Sequence, residues 1–199
     1  MLRFYSIILF FICHVSCSSE KKHDEADIIV KFFLQVVGTT GYKTLSLRPS
    51  PSDSNKYLKR EFKDYEPYII VSDSLLAWNK FQVNDIDLSK YVPDSEIQSF
   101  KEYSNLLQTK LKKETISGIA KYFPQKIGNY YLAPQFSSVS KFAIVTGNVK
   151  FSRVLIQDDI ATFLATISIG QKSGITKLFL LKKFNSNYII IRDIDLVVW

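Results

Sequence analysis

The sequence predicts an α+β fold, in which N-terminal and central helices pack on a C-terminal antiparallel β-meander of four or five strands. Three observations carry that prediction. Residues 141–199 alternate apolar and polar side chains between turn-forming Gly, Asn and Asp. Upstream, apolar residues recur at helical spacing instead. Helical and irregular chain comes first and strands follow, an order that suits α+β rather than βαβ. At 199 residues, 46% of them hydrophobic, the chain is long enough to bury one sizeable core, expected as a single domain over residues 27–199.

At the N-terminus, Arg3 is followed by an apolar run over residues 4–13 and then by small residues, so residues 1–16 read as a secretory signal peptide. The run is shorter than the ~20 residues of a membrane-spanning helix. Val15-Ser16-Cys17 resembles the bacterial lipobox, with His14 where that motif usually has Leu; Cys17 is therefore the expected lipidation site. Acyl chains on Cys17 would anchor the chain by burial of CH₂ groups, at ~0.8 kcal/mol each. Residues 17–26 then read as the lipidated cysteine and a polar tether.

The first helix is expected over residues 27–37, where Ile28, Ile29, Phe32, Phe33, Val36 and Val37 share a face and Gly38 supplies the stop, with a strand as the competing reading because Val, Ile and Phe dominate. A short strand is expected at 44–47, a loop of mixed charge at 49–64 and a strand at 68–71. A short helix carrying Trp78 is expected over 75–81. A longer one follows Pro93-Asp94-Ser95, with Ser95 and Gln98 spaced as a capping box and Ile97, Phe100, Tyr103, Leu107 and Leu111 on one face. Lys110, Lys112 and Lys113 complement its C-terminal dipole. A last amphipathic piece, 115–123, stops at Pro124.

In the C-terminal third, Ala161, Phe163, Ala165, Ile167 and Ile169 alternate with Thr162, Thr166 and Ser168, the period of a strand with one core face and one wet face. Gly170 to Gly174, and Asn185-Ser186-Asn187, supply the turns into strands over 175–183 and 188–199. Asp158-Asp159 turn the chain back to a strand over 149–156, and Thr146-Gly147-Asn148 are expected to separate that strand from another over 141–145.

Cys13 leaves with the signal and Cys17 is acylated, so no thiol remains in the domain for a disulfide or a nucleophile. His14 and His23 fall in the signal and the tether. A Ser-His-Asp triad or a His-based zinc site is not expected, and no cofactor or metal is. The formal charge of +7 over the whole chain favours anionic neighbours, without an Arg-rich stripe interleaved with aromatics that would suggest nucleic acid.

Two groups of residues are left as candidate sites. Asp193 and Asp195, two apart on a strand, face the same side about 7 Å from each other, a spacing at which carboxylates act as acid and base on glycosides. The pattern favours a simpler reading, in which they mark with Arg192 the solvent side of a strand whose core face is Ile190, Ile194, Leu196 and Val198. Tyr130 and Tyr131, near Tyr122, Phe123 and Phe136, form the second candidate, able to stack on a sugar or grip a peptide; aromatics at such a junction more often belong to a core. Asp158-Asp159 lack the surrounding oxygen ligands of a cation loop, and Gly38-Thr39-Thr40-Gly41 is too short for a phosphate loop.

Phe151-Ser152-Arg153-Val154, the Asp158-Asp159 turn, 161–169, a Gly-bounded loop, 178–183, 185–191 and Leu196-Val197-Val198-Trp199 together resemble the closing module of a loosely defined group of uncharacterised bacterial envelope lipoproteins. In that group the loop often carries cysteines and the last hairpin a Trp; here the loop has none, and Tyr188 stands at the Trp position. The resemblance implies a fold and a location in the cell envelope, and no activity. The expectation is an exported binding or structural module, held to a membrane through Cys17 and facing an anionic envelope polymer or another envelope protein. The alternatives are a carboxylate enzyme acting on envelope polysaccharide and an inhibitor that pairs through a sheet edge.

Overall fold

The computed structural model describes residues 23–38, 67–81, 83, 86–109, 114–135, 144–168 and 173–198. Cys17 and the segments expected at 44–47 and 49–64 lie outside them. Residues 23–37 form helix α1, and Gly38 ends it with φ +78° and its N–H donated to Leu34 O at 2.9 Å. The helix takes in residues 23–26, assigned from the sequence to the tether; Glu25 and Ala26 are buried there.

The fold is mostly β, which corrects the α+β expectation. Among the described residues nine strands form one mixed sheet: β1 (Pro67–Leu76), β2 (Ile116–Ser117), β3 (Lys126–Ile127), β4 (Tyr130–Ala133), β5 (Ile144–Ser152), β6 (Leu155–Gln157), β7 (Ile160–Ser168), β8 (Gly174–Phe184) and β9 (Asn187–Val198). Their order is β3-β4-β1-β5-β7-β8-β9, with β2 paired to β1 and β6 to β7. The meander β7-β8-β9 is present as expected. It extends a sheet that is already built upstream, in which β1 lies between β4 and β5 and runs parallel to both.

The expected helices shrink for local reasons. Residues 75–81 split between the end of β1 and a 3-10 turn, Trp78–Lys80. Ser95 and Gln98 make no capping box: a 3-10 turn over Ile97–Phe100 leads into helix α2, Lys101–Gln108, and neither has a side-chain cap. In 115–123, Ile116 joins β2 and Gly118 takes φ +78°, so only the 3-10 turn Ala120–Tyr122 is helical. Thr146-Gly147-Asn148 interrupt nothing; β5 runs through them with a register shift against β1.

Two cores cover the two faces of the sheet. On one, α1 packs Ile29, Phe32, Phe33 and Val36 on Ile69, Val71, Phe151, Phe163 and Phe179. Phe163 and Phe179 stack at 5.0 Å between centroids. On the other, Trp78, Phe100, Tyr103, Leu106 and Leu107 cover Ile160, Leu164, Leu178, Leu180 and Ile194. β7 is therefore buried on both sides rather than half wet. Leu164 and Ile160 occupy the face expected to be polar, and Thr162 is satisfied there by donating to Phe179 O at 2.8 Å.

The sheet curls around α1. Lys31 Nζ donates to Asn187 Oδ1 at 3.1 Å, at the start of β9, while the Leu34 side chain lies against Gly128 in the β3–β4 turn. One helix turn thus touches both ends of the strand order. Two of the expected hairpin turns are seen: Asp158 (φ +50°) links β6 to β7, and Asn185 and Ser186 (φ +46° and +68°) link β8 to β9, the left-handed pair that a two-residue loop needs; the turn expected at Gly170 to Gly174 lies largely outside the described residues.

Candidate functional site

Asp193 and Asp195 do share a face, because they stand two apart between bulges. β8 places Lys177 directly opposite Asp195. Its Nζ reaches Asp193 Oδ2 and Asp195 Oδ1, both at 2.9 Å. Partial burial pushes the Lys177 pKa down, but the hydrogen bonds and charges of the two carboxylates push it up by more, so the net is a rise. The carboxylates are about half exposed, at 52% and 54%. Their oxygens are engaged by an ammonium and open to solvent, which makes an ion-pair cluster of two negative charges and one positive.

The expected core face of this strand is reshuffled. Ile191 and Leu196 have no opposite residue on β8, and each such bulge turns the following side chains to the other face. Ile190 packs toward the α1 core, Ile194 and Leu196 toward the α2 core, and Val198 is 72% exposed.

Tyr130 and Tyr131 do not form a platform together. Tyr130 is buried in the α1 core, and Tyr131, one residue on, points to the opposite face of β4. There it stacks on Tyr68 at 5.2 Å and 22°, with Lys126 Nζ 4.8 Å from its ring centroid. Phe123 packs between Phe33 and Phe151, and Tyr122 meets the His23 ring edge-on at 5.2 Å. Phe136 lies outside the described residues. Four strands, β1, β5, β7 and β8, separate β4 from β9 in the sheet, and Tyr130 is buried where the carboxylates are open, so the two candidate groups are not one site.

One feature was not anticipated, and a second figured only in the alternative of an inhibitor that pairs through a sheet edge. The first is a buried ion pair: Arg153 Nε and Nη2 donate to Glu25 Oε2 and Oε1 at 2.9 and 2.8 Å, and Val154 N–H donates to Oε2 at 2.9 Å. Arg153 also donates to Glu114 O, while its own carbonyl accepts from the Trp78 indole. This node fastens the start of α1 to the β5–β6 corner. No sequence signal marks it, because its partners are 128 residues apart.

The second is the sheet edge. β9 is the last strand in the order and, among the described residues, pairs with β8 alone. Twelve residues long, it exposes Ile189 (45%) and Ile191 (39%), beside Phe184 (52%) at the preceding turn. Arg192 holds its α2-side face to the loop before α2 by donating to Glu96 Oε2 at 2.7 Å, and leaves Asp193 and Asp195 on the other face. Natural edge strands are usually short or covered; this one is long and apolar at one end. Among the described residues no helix is long and apolar enough to cross a membrane. No protein-family model matches the chain, and no curated protein or solved structure is significantly similar to it.

Proposed function

We propose that this chain is an exported, lipid-anchored binding module of the bacterial cell envelope, which recruits a partner by strand addition at β9. The observation that carries the binding reading is the β9 edge, which among the described residues pairs with β8 alone. An added strand gains main-chain hydrogen bonds along the edge and specificity from the flanking side chains. Support for export and anchoring comes from the N-terminal pattern of Arg3, the apolar run and Ser16-Cys17. Glu25, which is buried, is eight residues after Cys17, so even full extension of the chain between them would put that cysteine within about 28 Å of it. The carboxylate-enzyme alternative has less support, since Lys177 occupies both carboxylates.

Two experiments test this reading. Fractionation of cells carrying Cys17→Ser should show the protein released from the membrane; retention would refute the anchor. A photo-crosslinker at Ile189 should give a discrete adduct in intact envelopes that Ile191→Lys removes, and one at Lys126 on the opposite edge should not. Equal adducts from both edges would refute β9 as the binding surface.

A further inference from the structure

On the reading that β9 is a docking edge, we propose that its occupant is an extended segment of a partner protein with a basic half and an apolar half. The basic half lies beside Asp193 and Asp195, and the apolar half beside Ile189 and Ile191. Charge complementarity selects it. Asp193 and Asp195 are about half exposed on one face of the edge strand, and among the described residues their ion-pair partner is Lys177. Two carboxylates and one ammonium leave one negative charge, and the next strand outward is the position from which a second cation reaches it.

The other half of the edge has a different character. Across from Ile189 and Tyr188 stand Lys182 and Lys183 on β8, both exposed, which disfavours a cation there and leaves the exposed Ile189 and Ile191 to set the preference. A second copy of this chain fits less well. Antiparallel self-pairing about Asp193 or Ile194 sets Asp193 opposite Asp193 or Asp195 of the other copy, like charges at ~5 Å.

The test uses the full-length protein in detergent and two extended peptides about as long as β9. They are identical except that alternate positions in one half carry lysine or glutamate. Binding is read by fluorescence anisotropy, and the site by amide exchange along β9. The expected result is that the lysine peptide binds more tightly and protects β9. Asp193→Asn with Asp195→Asn should weaken it about threefold or more, and Lys177→Ala should strengthen it. A purely structural role for Lys177 would not produce that gain.

Three results would overturn the inference. If both peptides protect β9 equally and Asp193→Asn has no effect, the edge reading stands and the basic occupant does not. If β9 becomes protected with rising protein concentration and no peptide, the occupant is a second copy. If neither peptide changes exchange in β9, the inference and the edge reading fail together.

Discussion

Replacing Glu25 with alanine should be among the most damaging single changes to this protein, although the residue is a glutamate at the start of a helix. Its side chain is 4% exposed and that of Arg153 14%. The substitution takes an acceptor from Arg153 Nε, Arg153 Nη2 and Val154 N–H at once. Removing one partner of a buried ion pair costs about 3–5 kcal/mol, because the other charge stays behind. At ~2–4 °C per kcal/mol for a chain of this size, the melting temperature should fall by roughly 6–20 °C. The assay is thermal unfolding of the purified full chain by circular dichroism. Lys177→Ala serves as the contrast, since it breaks a pair whose acids are half exposed and should cost no more than ~1 kcal/mol. The double variant Glu25→Ala, Arg153→Ala should lose less than the sum of the two single changes. A fall below ~3 °C for Glu25→Ala, or full additivity in the double variant, would refute the clasp.

Tyr103 is expected to make the fold alkali-sensitive. Burial, with smaller effects from the charges of Glu102 and Tyr188, raises its pKa above the ordinary 10.0, and its O–H donates to Leu181 O at 2.6 Å. A raised folded-state pKa gives stability that is complete below pH 10 and is lost as pH climbs above it. Tyr103→Phe should therefore flatten the alkaline side of a melting-temperature profile while costing about 1 kcal/mol at neutral pH; an unchanged alkaline slope would contradict this. Gly118 has φ +78° and open space where a Cβ would stand, whereas at Gly128 (φ +58°) a Cβ would lie 3.1 Å from the Leu34 side chain. Gly118→Ala should cost about 1–2 kcal/mol from backbone conformation alone, and Gly128→Ala more; the reverse order in urea unfolding would show that the α1 contact at Gly128 is not tight.

What could be read from the sequence was local. The β6-β7 hairpin and the β7-β8-β9 meander follow from short-range alternation and from turn residues, Asp158, Asn185 and Ser186, that take the positive φ angles observed. Helix α1 follows from the spacing of Ile29, Phe32, Phe33 and Val36, and its end from Gly38. What could not be read depends on distant partners. Leu164 and Ile160 sit at positions that a half-buried strand would leave wet, and only the arrival of Tyr103, Leu106 and Leu107 makes that face a second core. The parallel placement of β1 between β4 and β5 is set by chain far from β1. Bulges at Ile191 and Leu196 shift β9 from its period of two; a strand read as regular then puts Ile190 and Val198 on the face of Ile194, whereas both stand opposite the α1-side residues Leu181 and Ile175 of β8. The Asp193–Asp195 spacing was legible, and the lysine that engages the pair was not, because Lys177 reaches it only once β8 and β9 are in register.

The most direct test of the open edge is native-state amide exchange on the isolated protein, residue by residue along β7 and β9. An uncovered edge predicts that N–H groups of β9 directed away from β8 exchange orders of magnitude faster than those of β7, which is paired on both sides. Uniform protection along β9, equal to that of β7, would mean that something already occupies the edge, and strand addition there would have no place to begin.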